Sequence, residues 1–174
     1  MNLIFKQATI DELDHALELF KLASLSLGEK NVSQWSYWSN PPEEKITWVK
    51  EGFDKGEFFF VYNDQGIKVA MFRLLQNDTL YWDEKGLENS VKYVHSLVVR
   101  PDFSGLGIGK IVMLKLIENM KSEGVKKFRL DCDGSNPKLC QYYESYGFNK
   151  VGEKETPYAI NNLYEMSLRK NDRF

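Results

Sequence analysis

The sequence predicts an α/β (α+β) fold: a single mixed, mostly antiparallel twisted sheet with one parallel strand-helix-strand crossover, flanked by helices. Three observations predict it. Beyond Glu57, FFFVYNDQGIKVAMFRLL is two apolar β-rich runs joined by Asn63-Asp64-Gln65-Gly66, a hairpin turn, so these strands pair antiparallel. Residues 91–132 read as strand, helix and strand, and such a crossover favours parallel pairing with a right-handed connection. The chain is 174 residues long, with 43% apolar and 28% charged residues, which suits one globular domain over 1–174.

Leu3 to Ala8 reads as a short first strand, and Thr9-Ile10-Asp11-Glu12 supplies a capping box that starts a helix. Leu13, Leu17, Phe20 and Ser24/Leu27 follow at helical spacing, and His15 falls off that stripe. Residues 28–42 are a loop, but one carrying Trp35, Tyr37 and Trp38. A second helix runs from Pro42 to Phe53 with Ile46, Val49 and Phe53 on one face. After the hairpin comes a polar, Trp82-bearing connection, then a strand from Val91 to Val99 ended by Arg100-Pro101. A helix over Gly107–Ser122, a strand over Val125–Cys132 and a helix over Pro137–Tyr146 complete the middle. Strands at Phe148–Val151 and Tyr158–Leu168 close the chain.

The net charge of −2 conceals an asymmetry. Residues 1–90 carry 9 basic against 15 acidic side chains, and residues 91–174 carry 14 against 10. Either surface charge is unevenly dealt, or the basic half meets an anionic ligand and the acidic half a cationic one. The acidic balance argues against nucleic acid as the main partner. Two cysteines, Cys132 and Cys140, stand in no metal-ligand pattern and are expected as reduced thiols, so no metal is expected. The absence of a signal-like or membrane-length apolar run predicts a cytoplasmic protein with no membrane partner.

Between the strand ending at Val99 and the next helix lies Arg100-Pro101-Asp102-Phe103-Ser104-Gly105-Leu106-Gly107-Ile108-Gly109-Lys110. Alternate glycines at a strand-to-helix junction let backbone approach a ligand, and a helix N-terminus offers unpaired N–H groups to an anion. A phosphate is the natural guest. The nucleotide-binding P-loop pattern fails, because it requires glycine at Ser104 and Ser/Thr at Ile111. The dinucleotide pattern fails as well, because Lys110 stands at its third glycine.

With this loop and with Asn136-Pro137-Lys138-Leu139-Cys140-Gln141-Tyr142-Tyr143-Glu144-Ser145-Tyr146-Gly147-Phe148, the chain resembles the GNAT superfamily of N-acyltransferases. That family carries Q/R-x-x-G-x-G/A after a strand and then N-x(6)-Y-E-x-x-G-F. Gly107 and Gly109 fill the small positions, whereas Ser104 stands where Gln or Arg is usual. The likeness covers about 57 to 168, and Arg129-Leu130-Asp131-Cys132 with Gln34-Trp35 is similar to a less characterised subgroup that names no substrate.

The resemblance implies an acetyl-CoA-binding core at about 91–150, with acceptor-side elements at about 1–90. It implies that acetyl-CoA, as co-substrate, rests its pyrophosphate on the backbone of Ser104, Gly105, Leu106, Gly107, Ile108, Gly109 and Lys110. The Lys110 side chain either helps neutralise that charge or is merely solvated. The pantetheine arm would pair with Leu97, Val98 and Val99, and a backbone N–H of Val98 or Val99 would meet the oxyanion. Asn136, an ordinary N-cap before Pro137, would also contact pantetheine amides. Tyr143 would serve the leaving thiolate as acid. Many members carry a glutamate base on the strand before the loop, but Tyr93 holds that position here. His95, two residues on and on the same face, is the candidate base, against the plainer reading of a packed strand histidine. Asp131 and Asp83 are further candidates.

Trp35, Trp38, Tyr81, Trp82 and Asp83 are expected acceptor-site residues, the aromatics being either pocket walls or loop cover for the core. The expected activity is N-acetyl transfer from acetyl-CoA to a primary amine of a small molecule or an exposed amino group, with a cationic amine as the expected acceptor. The rivals are a non-catalytic acyl-CoA-binding or sensing domain and, further off, a tRNA-linked or protein N-acetyltransferase. The acyl-chain preference and oligomeric state stay open, a homodimer included.

Overall fold

In a computed structural model, which describes residues 1–168, seven strands form one sheet in the order β1-β2-β3-β4-β5-β7-β6. These are β1 (Ile4–Gln7), β2 (Phe58–Tyr62), β3 (Lys68–Leu75), β4 (Val91–Val99), β5 (Lys127–Asp133), β6 (Asn149–Glu155) and β7 (Ile160–Ser167). The β1/β2, β2/β3, β5/β7 and β6/β7 pairs are antiparallel, and β4/β5 is parallel. The helices are α1 (Leu13–Glu29), α2 (Glu43–Asp54), α3 (Thr79–Trp82), α4 (Ile108–Ser122) and α5 (Pro137–Glu144). The fold class is therefore the expected one. The single-domain reading over 1–174 includes residues 169–174, which lie outside the described residues.

The chain resolves into two compact units: Met1–Leu74 with Ser96–Val112, and Leu75–His95 with the described residues from Met113 on. In the first, the Thr9 N–H donates to Glu12 Oε2 at 3.0 Å, the expected capping box. The buried stripe of α1 differs from the one expected. It runs through Ala16, Leu19, Phe20, Ala23 and Ser24, with Leu13 and Leu17 only at its flank. Small residues let the helix approach α2 and the turn at Ser36–Ser39 closely, and Leu13 and Leu17 pack at the edge of the cluster. Burying Phe20 fully stabilises by about 1.5–3 kcal/mol. The hairpin turn forms as read: Gly66 holds φ +73, and Asn63 Oδ1 accepts from the Gln65 and Ile67 N–H groups at 3.0 Å.

In the second unit, a buried guanidinium organises the loop before β4. Arg129 is 2% exposed and donates to Glu165 Oε2, Glu88 Oε1, the Tyr93 hydroxyl and the Lys85 carbonyl at 2.8–2.9 Å. Its guanidinium lies 4.6 Å from the Trp82 ring. Every face of the charge is matched, so it stays ionised despite burial. Tyr93 belongs to this network and is itself fully buried. The connection read as polar and irregular in fact contains α3 and a 3-10 turn over Asp83–Leu87, both held by this network and by Asp78.

Candidate active site

Parallel pairing of β4 with β5 covers Val91–Tyr93 against Lys127–Arg129. Two residues beyond Tyr93 and Arg129, His95 and Asp131 face each other, with Nδ1 and Oδ1 3.2 Å apart. On the other side of the ring, His95 Nε2 lies 2.6 Å from Asp78 Oδ2. The three side chains are 8%, 6% and 3% exposed for His95, Asp131 and Asp78 respectively. Asp131 Oδ2 also accepts from Asn161 Nδ2 at 2.7 Å. Asp78 caps α3 by accepting the Tyr81 N–H at 3.4 Å, and its own N–H donates to Gly86 O at 3.0 Å. Gly86 has to be glycine, since a Cβ there would run into the Asp78 carbonyl.

An ionised carboxylate can only accept, so the 2.6 Å hydrogen bond between His95 and Asp78 is donated by the ring Nε2–H. The site thus sets two buried carboxylates against one imidazole ring. His95, the candidate base, therefore stands between two carboxylates, with Asp78 on its Nε2 side at 2.6 Å and Asp131 on its Nδ1 side at 3.2 Å. The three residues also offer ligand atoms within 4.8 Å of one another, the one such group found among the described residues. The carboxylates address opposite ring nitrogens, a geometry unlike that around one central ion.

Tyr143 lies on α5, whose start matches the sequence reading. Asn136 Oδ1 accepts the Leu139 N–H at 3.2 Å, and Pro137 occupies the first turn. The Tyr143 ring is half-buried, edge-on to Phe148 at 6.3 Å and to Tyr142 at 5.3 Å. Burial pushes its hydroxyl above the ordinary phenol value, and Cys132 and the Asp131 carboxylate push the same way. Tyr143 therefore stays protonated at neutral pH and is a hydrogen-bond donor within electrostatic reach of Asp131.

The glycine loop is anchored at its root by Arg100, whose N–H donates to Val69 O at 2.9 Å and whose Nη1 donates to Lys68 O at 3.1 Å. Gly105 and Gly107 hold φ +79 and +73, and a Cβ on either would meet nothing within 4 Å. Glycine is thus needed for conformation, and the space above it is open. Ile108 is buried and begins α4, and Ile111 N–H makes its helical bond back to Gly107 O at 3.1 Å. Helix geometry leaves the N–H groups of Ile108, Gly109 and Lys110 without intrahelical acceptors. Ser104 differs: its N–H already donates to Pro101 O at 3.1 Å, so it is spoken for as a backbone donor. Lys110 is exposed. In β4, Val98 is buried, Leu97 and Val99 are half-buried, and Ser96 holds a left-handed φ of +55 that interrupts the pleat.

Among the expected acceptor-site residues, Tyr81 stands at the acidic group, its ring 4.9 Å from that of His95. Trp38 is instead a core side chain, 4% exposed and stacked on Phe20 at 3.9 Å. Trp82 is likewise 4% exposed, beneath Arg129. Trp35, at φ +65, sets its ring edge-on to Phe20 at 5.9 Å. Asp83 is exposed and ion-paired to Lys154 at 2.6 Å. Sequence reasoning missed Asp78 and Asn161 altogether. For Asp78 the available signal was an Asp before Thr79-Leu80-Tyr81-Trp82, which reads as a cap and nothing more.

The profile of the acetyltransferase (GNAT) family matches residues 26–148. An uncharacterised N-acetyltransferase of Methanocaldococcus jannaschii is 26% identical over 83% of this chain, which spans about 60% of that protein's length. A GNAT-family acetyltransferase structure from Listeria monocytogenes superposes with a TM-score of 0.77 at 22% identity, covering 95% of both chains. A PaiA N-acetyltransferase from Thermoplasma acidophilum, solved in complex with coenzyme A, superposes with a TM-score of 0.60 at 17% identity, over 96% of this chain and 99% of that one.

Proposed function

This chain belongs to the acetyltransferase (GNAT) family, and on that premise we propose that it transfers an acetyl group from acetyl-CoA to a primary amine of a small molecule or an exposed amino group, by direct attack in a ternary complex. The observation that carries the reading is the buried Asp78–His95–Asp131 group within electrostatic reach of a protonated Tyr143. Acylating an amine needs one group that takes a proton and one that gives a proton.

A substrate ammonium, with an ordinary pKa near 10, must lose its proton before or during attack. The two carboxylates flanking His95 favour a cationic acceptor, and Asp131 is the carboxylate that takes the proton, with His95 and Asp78 beside it. Tyr143 donates to the leaving thiolate. Acetyl-CoA supplies the activated thioester, and the open glycine loop with the N–H groups of α4 fits its pyrophosphate. Leu97, Val98 and Val99 would run along the pantetheine arm, with Asn136 at its amides.

The test is incubation of the protein with acetyl-CoA and a panel of neutral and cationic amines, following free thiol. Thiol release above the uncatalysed rate, strongest with cationic amines, is expected. Saturable acetyl-CoA binding with no release across the panel would overturn transfer in favour of an acyl-CoA-binding domain.

A further inference from the structure

The two cysteines of this chain, eight positions apart in sequence, meet in the fold. Cys132 on β5 and Cys140 on α5 are both buried, with their sulfurs 3.8 Å apart. Nothing in the acetyl-transfer reading uses them. Along β5 the side chains alternate, so Cys132 lies on the face of Phe128 and Leu130, opposite Arg129 and Asp131. The pair therefore joins α5 to the back of the strand that carries Asp131.

Their surroundings are unequal. Asn162 Nδ2 donates to Cys140 Sγ at 3.4 Å, and the Cys140 thiol lies 3.8 Å from the Asp133 carbonyl, which can accept its S–H. Around Cys132 stand the other thiol and the Asp131 and Asp133 carboxylates. Burial, then the proximity of Cys140, pushes the Cys132 thiol up from its ordinary value. We propose that Cys132 and Cys140 form a reactive dithiol that exchanges with low-molecular-weight disulfides, Cys140 being the attacking thiol and Cys132 the resolving one.

The step balances. The Cys140 thiolate attacks one sulfur of a disulfide R–S–S–R, forming a mixed disulfide and expelling R–S⁻. Cys132 then loses its proton and attacks the Cys140 sulfur, forming the internal disulfide and expelling the second R–S⁻. The two cysteine protons end on the two released thiolates, and the small disulfide is the oxidant. Closing the sulfurs to bond length takes about 1.8 Å of movement, from 3.8 Å to about 2.05 Å.

The experiment uses 2-hydroxyethyl disulfide under native conditions with mass spectrometry of the intact chain, in the absence of acetyl-CoA and acceptor, so that its outcome is independent of the proposed transfer reaction. Because the chain has only two cysteines, the bookkeeping is complete. The expected product is a monomer lighter by two hydrogens. Cys132→Ser should retain one hydroxyethylthio group on Cys140, and Cys140→Ser should acquire its group at least about tenfold more slowly. A chain of unchanged mass, one carrying stable hydroxyethylthio groups on both cysteines, or a reversed order of the two variants would overturn the proposal.

Discussion

Replacing Asp131 by Asn tests the Asp78–His95–Asp131 group directly. Asp131 Oδ2 accepts from Asn161 Nδ2 at 2.7 Å, and Oδ1 lies against His95 Nδ1 at 3.2 Å. A carboxylate presents an oxygen to each. An amide has one oxygen and one NH₂, so one of the two contacts loses its acceptor. At 6% exposure water cannot easily repair the mismatch. Leaving one buried polar group unsatisfied costs about 1–3 kcal/mol, and a chain of this size loses about 2–4 °C of Tm per kcal/mol. The expected thermal midpoint is therefore lower by about 4–8 °C for a cost of about 2 kcal/mol. The substitution also removes one of the two carboxylates that flank His95. If Asp131 takes the amine proton, kcat/KM for the acceptor falls by about 10²-fold or more, while acetyl-CoA affinity, measured by calorimetry, is unchanged. An Asp131→Asn protein with the parent's Tm and the parent's acceptor kcat/KM would refute the reasoning.

Tyr143→Phe should lower kcat by about 10–10²-fold with little change in acetyl-CoA affinity, read by thiol release and calorimetry. Because burial raises Tyr142, Tyr143 and Tyr164 above the ordinary phenol value, the unfolded chain loses these protons first as pH rises. The stability they contribute is full below about pH 10 and declines above it, and denaturant titrations at pH 9 and 11 should give a smaller difference in Tyr143→Phe than in the parent. Gly107→Val forces φ +73 on a branched residue, costing about 1–2 kcal/mol of stability, and projects a side chain into the open space over the loop; acetyl-CoA binding should weaken while the thermal midpoint drops only a few degrees. Arg129→Ala takes the guanidinium from the Tyr93 hydroxyl and leaves Glu165 only the more distant Lys127 at 3.8 Å, and should cost about 3–5 kcal/mol in chemical denaturation.

Local patterns carried most of the fold into view. The Asn63–Gly66 turn, the capping box at Thr9 and the cap at Asn136 each rest on contacts within a few residues, and each stands where its residues predicted. The stripe of α1 is partly legible: Phe20 and Ser24 are buried as the spacing predicts, while Ala16 and Ala23 are buried as well, where close approach favours small side chains. The site was harder to read because its members are far apart in sequence. Asp78 is 17 residues from His95 and 53 from Asp131, and only the alignment of β4 with β5 brings the latter two together. The fates of Trp38 and Trp82 depend on Phe20 and Arg129, partners that composition cannot name. The left-handed φ at Ser96, in mid-strand, has no residue-type signal at all.

The position of β5 ties these features together. Its register with β7 runs unbroken from Lys127↔Ser167 to Asp133↔Asn161, so the strand is fixed along its whole length. Because side chains alternate, Arg129 and Asp131 point to one face and Leu130 and Cys132 to the other. Arg129 is clamped by two carboxylates, a hydroxyl and a carbonyl, and these contacts hold the strand's lateral position one alternation before Asp131. Asn161, which orients Asp131, comes from the same β7 pairing that supplies Asn162 to Cys140. A register slip of one residue would exchange the two faces, taking Asp131 from His95 and Cys132 from Cys140 together. The acid group and the dithiol are thus both set by a single strand register, and a substitution that loosens the β5/β7 pairing should degrade both at once, whereas Asp131→Asn should leave the dithiol's exchange with small disulfides intact.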